Sequence, residues 1–331
     1  MHRFGRIITL NPHPAIDRLI EAPGLVPGAH IRGRVLGRQP AGKGLNVSRA
    51  LAALGRASRA MGFVGDRDAA WFAESIRSTG GRIDCLFTPV AGPTRENLTL
   101  VEPASRGNRE THIRLTGLSV CPADITRLRR ALAGGLRPDD ILIIAGSRPP
   151  GMTPADVVHL ITTAHRAGAR VALDIDPQAL AAVLHAGRPV WLIKPNEEEA
   201  RAALGRGFAS ASPAQLAAAL AGHAEWAAVS LGAKGAILAT ADQQWTGRIP
   251  ATALPRPARS TVGCGDCFLA GMVDAILAGA APAEVLRRAL AVGAANALVL
   301  GAANFRATDV RFAQRKAVVS ALRASKKNRG I

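Results

Sequence analysis

Aromatic residues are scarce in this chain of 331 residues. It contains no tyrosine, and aromatic residues make up only 4% of a sequence that is 48% hydrophobic. A chain of this length and apolar content forms a full core, packed mainly by alanine, leucine and valine, which excludes intrinsic disorder. The shortage of aromatic side chains beside basic ones argues against binding of single-stranded nucleic acid by base stacking.

Long apolar runs are missing too. The amino-terminal residues 1–12 contain no apolar stretch of the kind that a secretory signal requires. The most apolar late segment, Ala289–Ala303, is rich in alanine, interrupted by Asn296 and short for a membrane span. We therefore expect a soluble cytoplasmic protein with no membrane partner.

Cysteine is rare, and four cysteines in so long a chain do not indicate a disulfide framework. Cys85 and Cys121 stand alone, whereas a zinc site would need a second ligand pair spaced like Cys264 and Cys267. The segment Cys264-Gly-Asp-Cys267 leaves three hypotheses. It is a thiol redox pair, half of a zinc site, or a backbone loop in which Asp266 does chemistry.

Acidic residues are few beside the basic ones: 24 against 42, with a formal net charge of +18 at pH 7. Nucleic-acid binding is one explanation of such a charge. However, the arginines are scattered along the sequence, and the basic tail Ser325–Arg329 is short. We therefore expect no nucleic-acid partner and favour attraction of phosphorylated metabolites.

The second half of the chain alternates short apolar runs with helical patterns. Helices are predicted to begin near Thr153, to include Leu180–Leu184 and to span Glu197–Leu204. Strands separated by helices indicate βαβ units, so we expect an α/β fold with a mainly parallel central sheet between two layers of helices. The predicted strands are Asp140–Ala145, Arg170–Asp174, Pro189–Ile193, Trp226–Ser230 and Gly235–Ala239.

The first third of the chain has a different pattern. Ile7–Leu10 is predicted to be a strand, but residues 22–40 are rich in glycine and proline. Glu96–Glu102 and Thr111–Leu115 are typical of a hairpin around Ser105–Asn108. We expect residues 16–40 and 93–116 to form a small separate sheet that lies over one end of the main domain as a lid.

Polar or glycine-rich segments follow the predicted strands. In an open α/β sheet, ligands bind beyond the carboxyl ends of the strands, so these segments are expected to share one site. They are Gly146-Ser147, Asp174, Lys194–Asn196, Ser230–Gly232 and Thr261–Asp266.

The segment Gly263–Asp266 leads into an apolar helix. Glycines allow a tight turn, and amides at a helix amino terminus attract an anion. An aspartate there would repel a resting anion, but it could take a proton from an attacking hydroxyl while the amides stabilise a transferring phosphoryl group. The alternative is an ordinary capping aspartate. Neither the Walker pattern GxxxxGK[ST] nor a GxGxxG after the first strand is present.

A second glycine cluster, Pro40–Asn46, also leads into a helix, predicted over Val47–Leu54. Lys43, between two glycines, is expected to be exposed and free to meet an anionic group, and Asn46 could bind hydroxyls. The cluster is equally consistent with a simple helix cap.

Together these motifs resemble those of the PfkB-type, or ribokinase-like, carbohydrate kinases, in particular the phosphofructokinase and tagatose-6-phosphate kinase branch. The resemblance covers almost the whole chain in order and implies a single ribokinase-like three-layer domain, residues 1–331, with a β-sheet lid. The segments that carry it are His13–Asp17, Ala41–Val47, Phe63–Asp66, Thr94–Asn97, Gly146–Gly151, Ile193–Glu199, Val229–Ala236 and Ser260–Asp266.

The resemblance implies an enzyme that uses ATP and Mg²⁺ to phosphorylate a sugar phosphate, with fructose 1-phosphate as the preferred acceptor. Fructose 6-phosphate and tagatose 6-phosphate are the alternatives within the family, because a cation that binds a phosphate does not reveal which carbon bears it. A catalytically inactive sugar-phosphate sensor is the alternative from another class, and the intact Asp266 and Glu199 argue against it. We also expect a homodimer formed through the lid.

The resemblance also implies roles for individual residues. Asp266 would be the general base, with the amides of Gly263, Cys264 and Gly265 as the anion hole. Asn196 and Glu199 would organise Mg²⁺, mainly through water. The nucleotide would be lined by Lys194, Asn196, Ser230, Gly232, Gly235, Thr261, Val262, Gly263 and Gly265. Sugar hydroxyls would meet Asp17, Gly42 and Asn46, the substrate phosphate would meet Lys43, Arg95 and Arg32, and Asn97 and Ser147 would lie beside them.

The chain departs from the family pattern at a few positions. His13 stands where asparagine is usual, Arg148 replaces a leucine, and Cys264 and Cys267 replace small residues. Leu300–Asn304 lacks a Gly-Thr ending, which puts the adenine-side and monovalent-ion contacts in doubt. None of these changes removes the base, the glycines or the Asn-x-x-Glu segment, so we favour the third hypothesis for Cys264–Cys267, a backbone loop.

Overall fold

The computed structural model describes residues 4–78, 80–103 and 109–322. Two features singled out in the sequence, the turn at Ser105–Asn108 and the tail Ser325–Arg329, lie outside the described residues. The strands are β1 (Ile7–Asn11), β2 (Ala15–Glu21), β3 (Arg34–Ala41), β4 (Ser58–Gly65), β5 (Ile83–Val90), β6 (Arg95–Glu102), β7 (Arg109–Arg114), β8 (Ile141–Gly146), β9 (Arg170–Ile175), β10 (Val190–Ile193), β11 (Ala224–Ser230), β12 (Ala236–Ala239), β13 (Gln244–Arg248) and β14 (Val318–Leu322).

The helices fill the connections between these strands. They are α1 (Lys43–Ala53), α2 (Ala69–Arg77), α3 (Pro122–Gly135), α4 (Pro154–Arg166), α5 (Pro177–His185), α6 (Glu197–Leu204), α7 (Pro213–Ala221), α8 (Cys264–Leu277), α9 (Pro282–Ala297) and α10 (Ala307–Lys316). In the described part of the chain, none of them is long and apolar enough to cross a membrane. The cytoplasmic location stays a prediction.

The helix starts near the large sheet follow local capping rules. The side chains of Thr153, Asp176 and Ser212 each accept a hydrogen bond from an amide in the first turn of the helix that follows, and each is followed by proline. Thr153 is where the sequence predicted a helix to begin. Thr153 and Asp176 thus mark where the chain turns from β8 and β9 into the helices that follow.

The large sheet is mainly parallel, as predicted. Its order is β14-β13-β12-β11-β10-β9-β8-β1-β4-β5, and all the pairings from β11 to β5 are parallel. The predicted series placed Gly235–Ala239 among the βαβ units, but β12 pairs antiparallel with β11. The link Leu231–Gly235 is a short turn, with Gly232 and Gly235 at φ values of 60° and 104°, and so short a link cannot make a parallel crossover.

Two hydrophobic clusters cover the two faces of the large sheet. One face packs on α3 to α7 through residues such as Leu128, Leu160 and Leu216. The other face packs on α1, α8, α9 and α10 through residues such as Val47 and Met272. Strand residues alternate between the clusters, as alternating side chains require. The predicted three-layer arrangement is therefore confirmed.

The small sheet consists of β2, β3, β6 and β7 in the order β3-β2-β6-β7. β2 and β6 are parallel, and the outer pairs are antiparallel. The predicted small separate sheet is therefore confirmed, although the stretch from residue 22 to residue 33 contributes no strand. Whether this sheet acts as a lid stays a prediction.

Candidate active site

The candidate site lies at the carboxyl edge of the large sheet, where β9 and β10 end and where α1, α6 and α8 begin. We call the space between this edge and the small sheet the cleft. Asp174 and Lys194 come from the strand ends, and Lys43 and Asp266 come from the first turns of α1 and α8. The structure thus brings together residues that are far apart in the sequence.

Helix α8 begins earlier than the loop interpretation implied. Cys264–Cys267 forms the first turn of α8, and Gly263 precedes it at φ 76°, a left-handed conformation that favours glycine. A Cβ at Gly263 would also collide with Ala302. The Cys264 amide donates to the Thr261 carbonyl at 3.3 Å, so it is already engaged. Among the described residues, the amides of Gly263 and Gly265 donate no hydrogen bond, which leaves them available to an anion.

Asp266 is buried in this first turn, with 6% of its surface exposed. Asn46 Nδ2 donates to Asp266 Oδ2 at 2.8 Å, and Oδ1 has no hydrogen-bond partner in the described part of the chain. Burial, followed by the charge of Asp174, raises the pKa of Asp266 to about 6, against the smaller opposing effects of Asn46, Lys43 and Lys194. A carboxylate with such a pKa is ionised at neutral pH and still basic enough to accept a proton.

Asp174 is the electrostatic centre of the site. It is 1% exposed, and its two carboxylate oxygens lie 2.8 Å from Lys43 Nζ and 3.0 Å from Lys194 Nζ. Burial acts to raise the pKa of Asp174, but the two ammonium groups lower it by more than burial raises it. The net shift of the pKa is therefore downward. Sequence analysis noted Asp174 at a strand end and gave it no role. Its place at the carboxyl end of a buried strand was the available signal.

Lys43 is not free, contrary to the expectation for this glycine cluster. Besides its contact with Asp174, its Nζ lies 3.6 Å from Glu199 Oε1. Burial lowers the pKa of Lys43, but the charges of Asp174 and Glu199 outweigh it and raise the pKa above its ordinary value. Lys43 is also the first residue of α1, so this helix begins before the predicted Val47. Its contact with a substrate phosphate stays a prediction.

Asn196 and Glu199, the predicted magnesium residues, form a capping box at the start of α6. The Glu199 amide donates to Asn196 Oδ1, and the Asn196 amide donates to Glu199 Oε2, both at 2.8 Å. Within the described residues there is no cluster of three or more histidine, cysteine or acidic side chains that could hold a metal. The two oxygen-bearing side chains fit Mg²⁺ held mainly by water and phosphate oxygens.

The predicted nucleotide residues border this cap. Ser230 lies beside Asn196 in an isolated parallel bridge, and its hydroxyl donates to the Pro195 carbonyl at 3.5 Å. A Cβ at Gly235 would collide with the Gly247 carbonyl, so a larger residue does not fit there. Lys194, Ser230, Gly232 and Gly235 therefore lie along one stretch of the carboxyl edge, and Thr261 and Val262 precede α8 on the same side of the sheet.

The sugar-side residues lie on the small sheet and at the start of α1. Asn97 Nδ2 donates to Asp17 Oδ1 at 2.8 Å, and burial raises the pKa of Asp17 despite this bond. Arg95 donates to the carbonyls of Pro14 at 3.2 Å and His13 at 2.8 Å. It does not pair with Glu96 or Glu102, which bind other arginines. Arg32 and Ser147 are exposed.

Several buried polar atoms around the cleft lack a hydrogen-bond partner in the described part of the chain. Two of them belong to Asn46 and Asn97, both predicted to line the sugar. Buried polar groups are normally hydrogen-bonded, so a ligand rich in hydroxyl groups would suit this wall. The atoms concerned are Asn11 Oδ1, His13 Nε2, Asn46 Oδ1, Arg49 Nη1 and Asn97 Oδ1.

Asn296 was seen in the sequence only as an interruption of an apolar run. It is fully buried in α9, where its Nδ2 donates to the Val262 carbonyl at 2.8 Å and its Oδ1 accepts from the Ala303 amide at 2.7 Å. Asn296 therefore fixes the segment before α8 from the main-domain side. A buried polar residue in an apolar helix was the signal for such a role.

The two cysteines of the first turn lie in surroundings that disfavour the thiolate. Both are free thiols, and burial is the main cause that raises the pKa of Cys264 and of Cys267. Thiol exchange and zinc binding need the thiolate, so this geometry favours the backbone hypothesis over the redox and zinc hypotheses. Arg148, the other departure, donates to both carboxylate oxygens of Asp176, at 2.9 Å and 3.1 Å, and so supports the cap of α5.

Comparison with known proteins gives consistent matches. Residues 14–309 match the family described as pfkB family carbohydrate kinase. The 1-phosphofructokinase of Xanthomonas campestris is 36% identical over 270 residues, covering 80% of this chain and 82% of that protein. The 1-phosphofructokinase of Rhodobacter capsulatus is 35% identical over 274 residues, covering 81% of this chain and 83% of that protein.

A solved structure agrees in fold. The crystal structure of phosphofructokinase-2 from Escherichia coli in complex with potassium superimposes with a TM-score of 0.82 at 26% identity, covering 94% of this chain and 98% of that chain. The tetrameric inhibited form of the same enzyme matches with a TM-score of 0.80 over the same shares of both chains. The matches extend over both the large sheet and the small sheet.

Proposed function

Because the chain belongs to the pfkB family of carbohydrate kinases and is an ATP-dependent carbohydrate kinase, we propose that it converts fructose 1-phosphate to fructose 1,6-bisphosphate. The two curated relatives named 1-phosphofructokinase support this choice of acceptor. The observation that carries the chemistry is Asp266, buried beside two unengaged amides at the start of α8 and raised in pKa to about 6.

Asp266 acts as the general base. The acceptor hydroxyl gives its proton to Asp266 while its oxygen attacks the γ-phosphorus of ATP, and the bond from that phosphorus to the bridging oxygen of ADP breaks. Asn46 holds one carboxylate oxygen at 2.8 Å, which leaves the other to face the hydroxyl. The intact base argues against an inactive sugar-phosphate sensor.

Fixed hydrogen-bond donors stabilise the negative charge that develops on the transferring phosphoryl group. The amides of Gly263 and Gly265 stand at the positive end of the α8 dipole. The Cys264 amide, predicted as a third donor, is engaged with Thr261, and it contributes once ATP displaces that weak 3.3 Å contact. Lys194 contacts the β- and γ-phosphates while Asp174 holds its ammonium group in place.

Asn196 and Glu199 would hold Mg²⁺, which would supply positive charge to offset the negative charge of the phosphates of ATP. Their capping box fixes both side chains before any ligand binds. Ser230, Gly232 and Gly235, together with Thr261 and Val262, line the nucleotide.

The sugar phosphate binds across the cleft. Asp17, Gly42 and Asn46 contact its hydroxyls, with Asn97 and Ser147 beside them. Arg95, Lys43 and Arg32 contact its phosphate. Arg95 comes from the small sheet and Lys43 from the main domain, so binding draws the small sheet over the cleft as a lid and excludes water.

Two copies of the chain form a homodimer through the outer face of the small sheet. Strand alternation and register place Ile20, Val35 and Leu100 in one row, with Leu98 and Ile113 in the next. Val35 is 62% exposed and Ile113 is 40% exposed, so this face is an apolar surface typical of a protein–protein contact. A second copy of the chain is its occupant, because the same apolar face on each copy is self-complementary.

The test is a coupled ADP-release assay across fructose 1-phosphate, fructose 6-phosphate, tagatose 6-phosphate and unphosphorylated fructose. We expect the highest kcat/KM with fructose 1-phosphate. A higher value with fructose 6-phosphate or tagatose 6-phosphate would replace the proposed acceptor, and ligand binding without turnover of any sugar would favour the sensor.

A further inference from the structure

The strand β7 reaches the main domain through Glu110. Glu110 is the only residue of β7 that is not exposed, and its Oε2 accepts a hydrogen bond from Ser260 Oγ at 3.1 Å. Its side chain is only 12% exposed, and His112 Nε2 on the same strand lies 3.5 Å from its carboxylate. The small sheet is therefore tied directly to the segment that precedes α8.

Ser260 connects Glu110 to the backbone of the segment that precedes α8. It is 6% exposed, and its Oγ also accepts a hydrogen bond from the Val262 amide at 3.2 Å. The Val262 carbonyl is bound on its other side by Asn296. The segment Ser260–Gly263 is thus held from two directions, by α9 within the main domain and by β7 through Ser260.

The two contacts that fix this segment depend on different parts of the molecule. The Asn296 contact stays inside the main domain, whereas the Glu110 contact exists only while β7 lies against that domain. A carboxylate on the wall of an anion site is also unfavourable unless it has a task. The Ser260 amide stays bound to the Ala297 carbonyl of the main domain at 3.3 Å. Movement of the small sheet would therefore release only the Ser260 hydroxyl, which holds the amide of Val262, next to the unengaged amide of Gly263.

We propose that Glu110 is a positioning residue that couples closure of the small sheet to the geometry of the anion hole. With the small sheet in place, Glu110 holds Ser260, Ser260 holds Val262, and the amides of Gly263 and Gly265 point at the transferring phosphoryl group. With the sheet displaced, the hole relaxes and transfer to water slows. This inference rests on the proposed kinase function.

The kinetic test compares Glu110→Ala, Glu110→Gln and Ser260→Ala, with Glu102→Ala as the matched control. Glu102 is an acid of the same sheet, but its partner Arg109 also lies in that sheet. We expect Glu110→Ala to lower kcat by about three- to tenfold, the scale of one hydrogen bond, with KM for ATP within about twofold of wild type. Glu110→Gln keeps an oxygen acceptor and is expected to stay near wild type.

A double-mutant cycle tests the coupling. Glu110→Ala combined with Ser260→Ala should be no slower than Ser260→Ala alone, because both changes break one chain of contacts. Additive losses in kcat, or equal losses in Glu110→Ala and Glu102→Ala, would overturn the inference.

Hydrogen exchange of the peptide 259–265 separates this inference from the proposed function, because it needs no turnover. We expect faster amide exchange in Glu110→Ala than in Glu102→Ala, both measured in the full-length protein. Equal exchange would overturn the inference even in an active kinase. Wild-type protein inactive on every sugar phosphate would overturn the proposed function, while the exchange result would still decide whether Glu110 holds the segment.

Discussion

At the scale of single residues, the site contains two buried aspartates whose pKa values are shifted in opposite directions. Burial raises the pKa of both. Asp174 contacts two ammonium groups and remains a fixed anion, whereas Asp266 receives one amide hydrogen bond and the repulsion of Asp174. Opposite shifts of neighbouring acids are the pattern that separates a proton acceptor from a structural charge.

If Asp266 is the base, as proposed, its raised pKa predicts a defined acid limb for the activity. The base must be ionised, so kcat/KM should fall about tenfold per pH unit below a pH of about 6. Asp266→Asn should lower kcat by about two orders of magnitude or more and remove this limb. Because ionisation is less favourable in the folded state than in the unfolded state, the change should not lower the melting temperature at pH 7. Near-normal turnover of the variant would contradict the assignment.

Asp174 is predicted to control both stability and the pH profile. Asp174→Asn leaves the buried Lys194 without its carboxylate partner, which should reduce the free energy of unfolding by about 3 kcal/mol in urea denaturation. It also removes the charge that raises the pKa of Asp266, so any remaining activity should have its acid limb at lower pH. Asp176→Asn, which disrupts the Arg148 contact two residues away, serves as the control. An acid limb that shifts equally in both variants would count against this role.

At the scale of elements, the first turn of α8 explains why its sequence tolerates cysteine. The free donors are backbone amides, Gly263 supplies the left-handed turn, and the Cys267 side chain packs in the core. The sequence predicted that the glycines and Asp266 stand together at a helix start, because turn and cap preferences are local. It could not place the start of the helix at Cys264, which depends on packing against Ala302 and Asn296.

The thiols of α8 are expected to be dispensable. Cys264→Ala combined with Cys267→Ser should retain kcat within about threefold of wild type, because the amides and Asp266 are unchanged. Activity should also be the same with and without reductant, since burial keeps both thiols protonated. Metal analysis and the ADP-release assay check this, and loss of activity together with loss of bound zinc would restore the zinc hypothesis.

The small sheet is the second element with a testable role. Arg95→Ala should raise KM for the sugar phosphate by about tenfold or more, the scale of a charge-assisted contact, and leave KM for ATP nearly unchanged. Arg109→Ala, on the neighbouring strand, removes an exposed ion pair with Glu102 and should change neither. Steady-state kinetics of both variants provide the measurement. An unchanged KM for every sugar phosphate in Arg95→Ala would show that Arg95 only binds the backbone carbonyls around His13.

At the scale of the whole molecule, the proposed homodimer rests on the apolar outer face of the small sheet. Val35→Glu combined with Ile113→Glu should convert a dimer into a monomer, because each buried charge in the contact is strongly unfavourable. Leu86→Glu is the control, since Leu86 is exposed to a similar degree, at 42%, but lies on β5, an edge strand of the large sheet. Light scattering measures the mass, and a wild-type monomer, or a control that also dissociates, would contradict the proposed interface.

Much of this molecule was determined by the sequence itself. The alternation of apolar runs and helical patterns predicted the layered α/β fold and a helix over Glu197–Leu204, the bounds that α6 has in the structure. Gly263 was expected to allow a tight turn, and no larger residue fits there. These features depend on conformational preferences over a few residues, so they can be read without the fold.

Only the tertiary structure decided which charges meet. Asp174 lies 131 residues from Lys43, Asn46 lies 220 residues from Asp266, and Glu110 lies 150 residues from Ser260, yet each pair is in contact. The sequence could place each of these residues on a loop, a helix or a strand, but the order of strands in the sheet sets their neighbours. A pKa near 6 at Asp266 follows from burial and from those neighbours, and both exist only once the chain has folded.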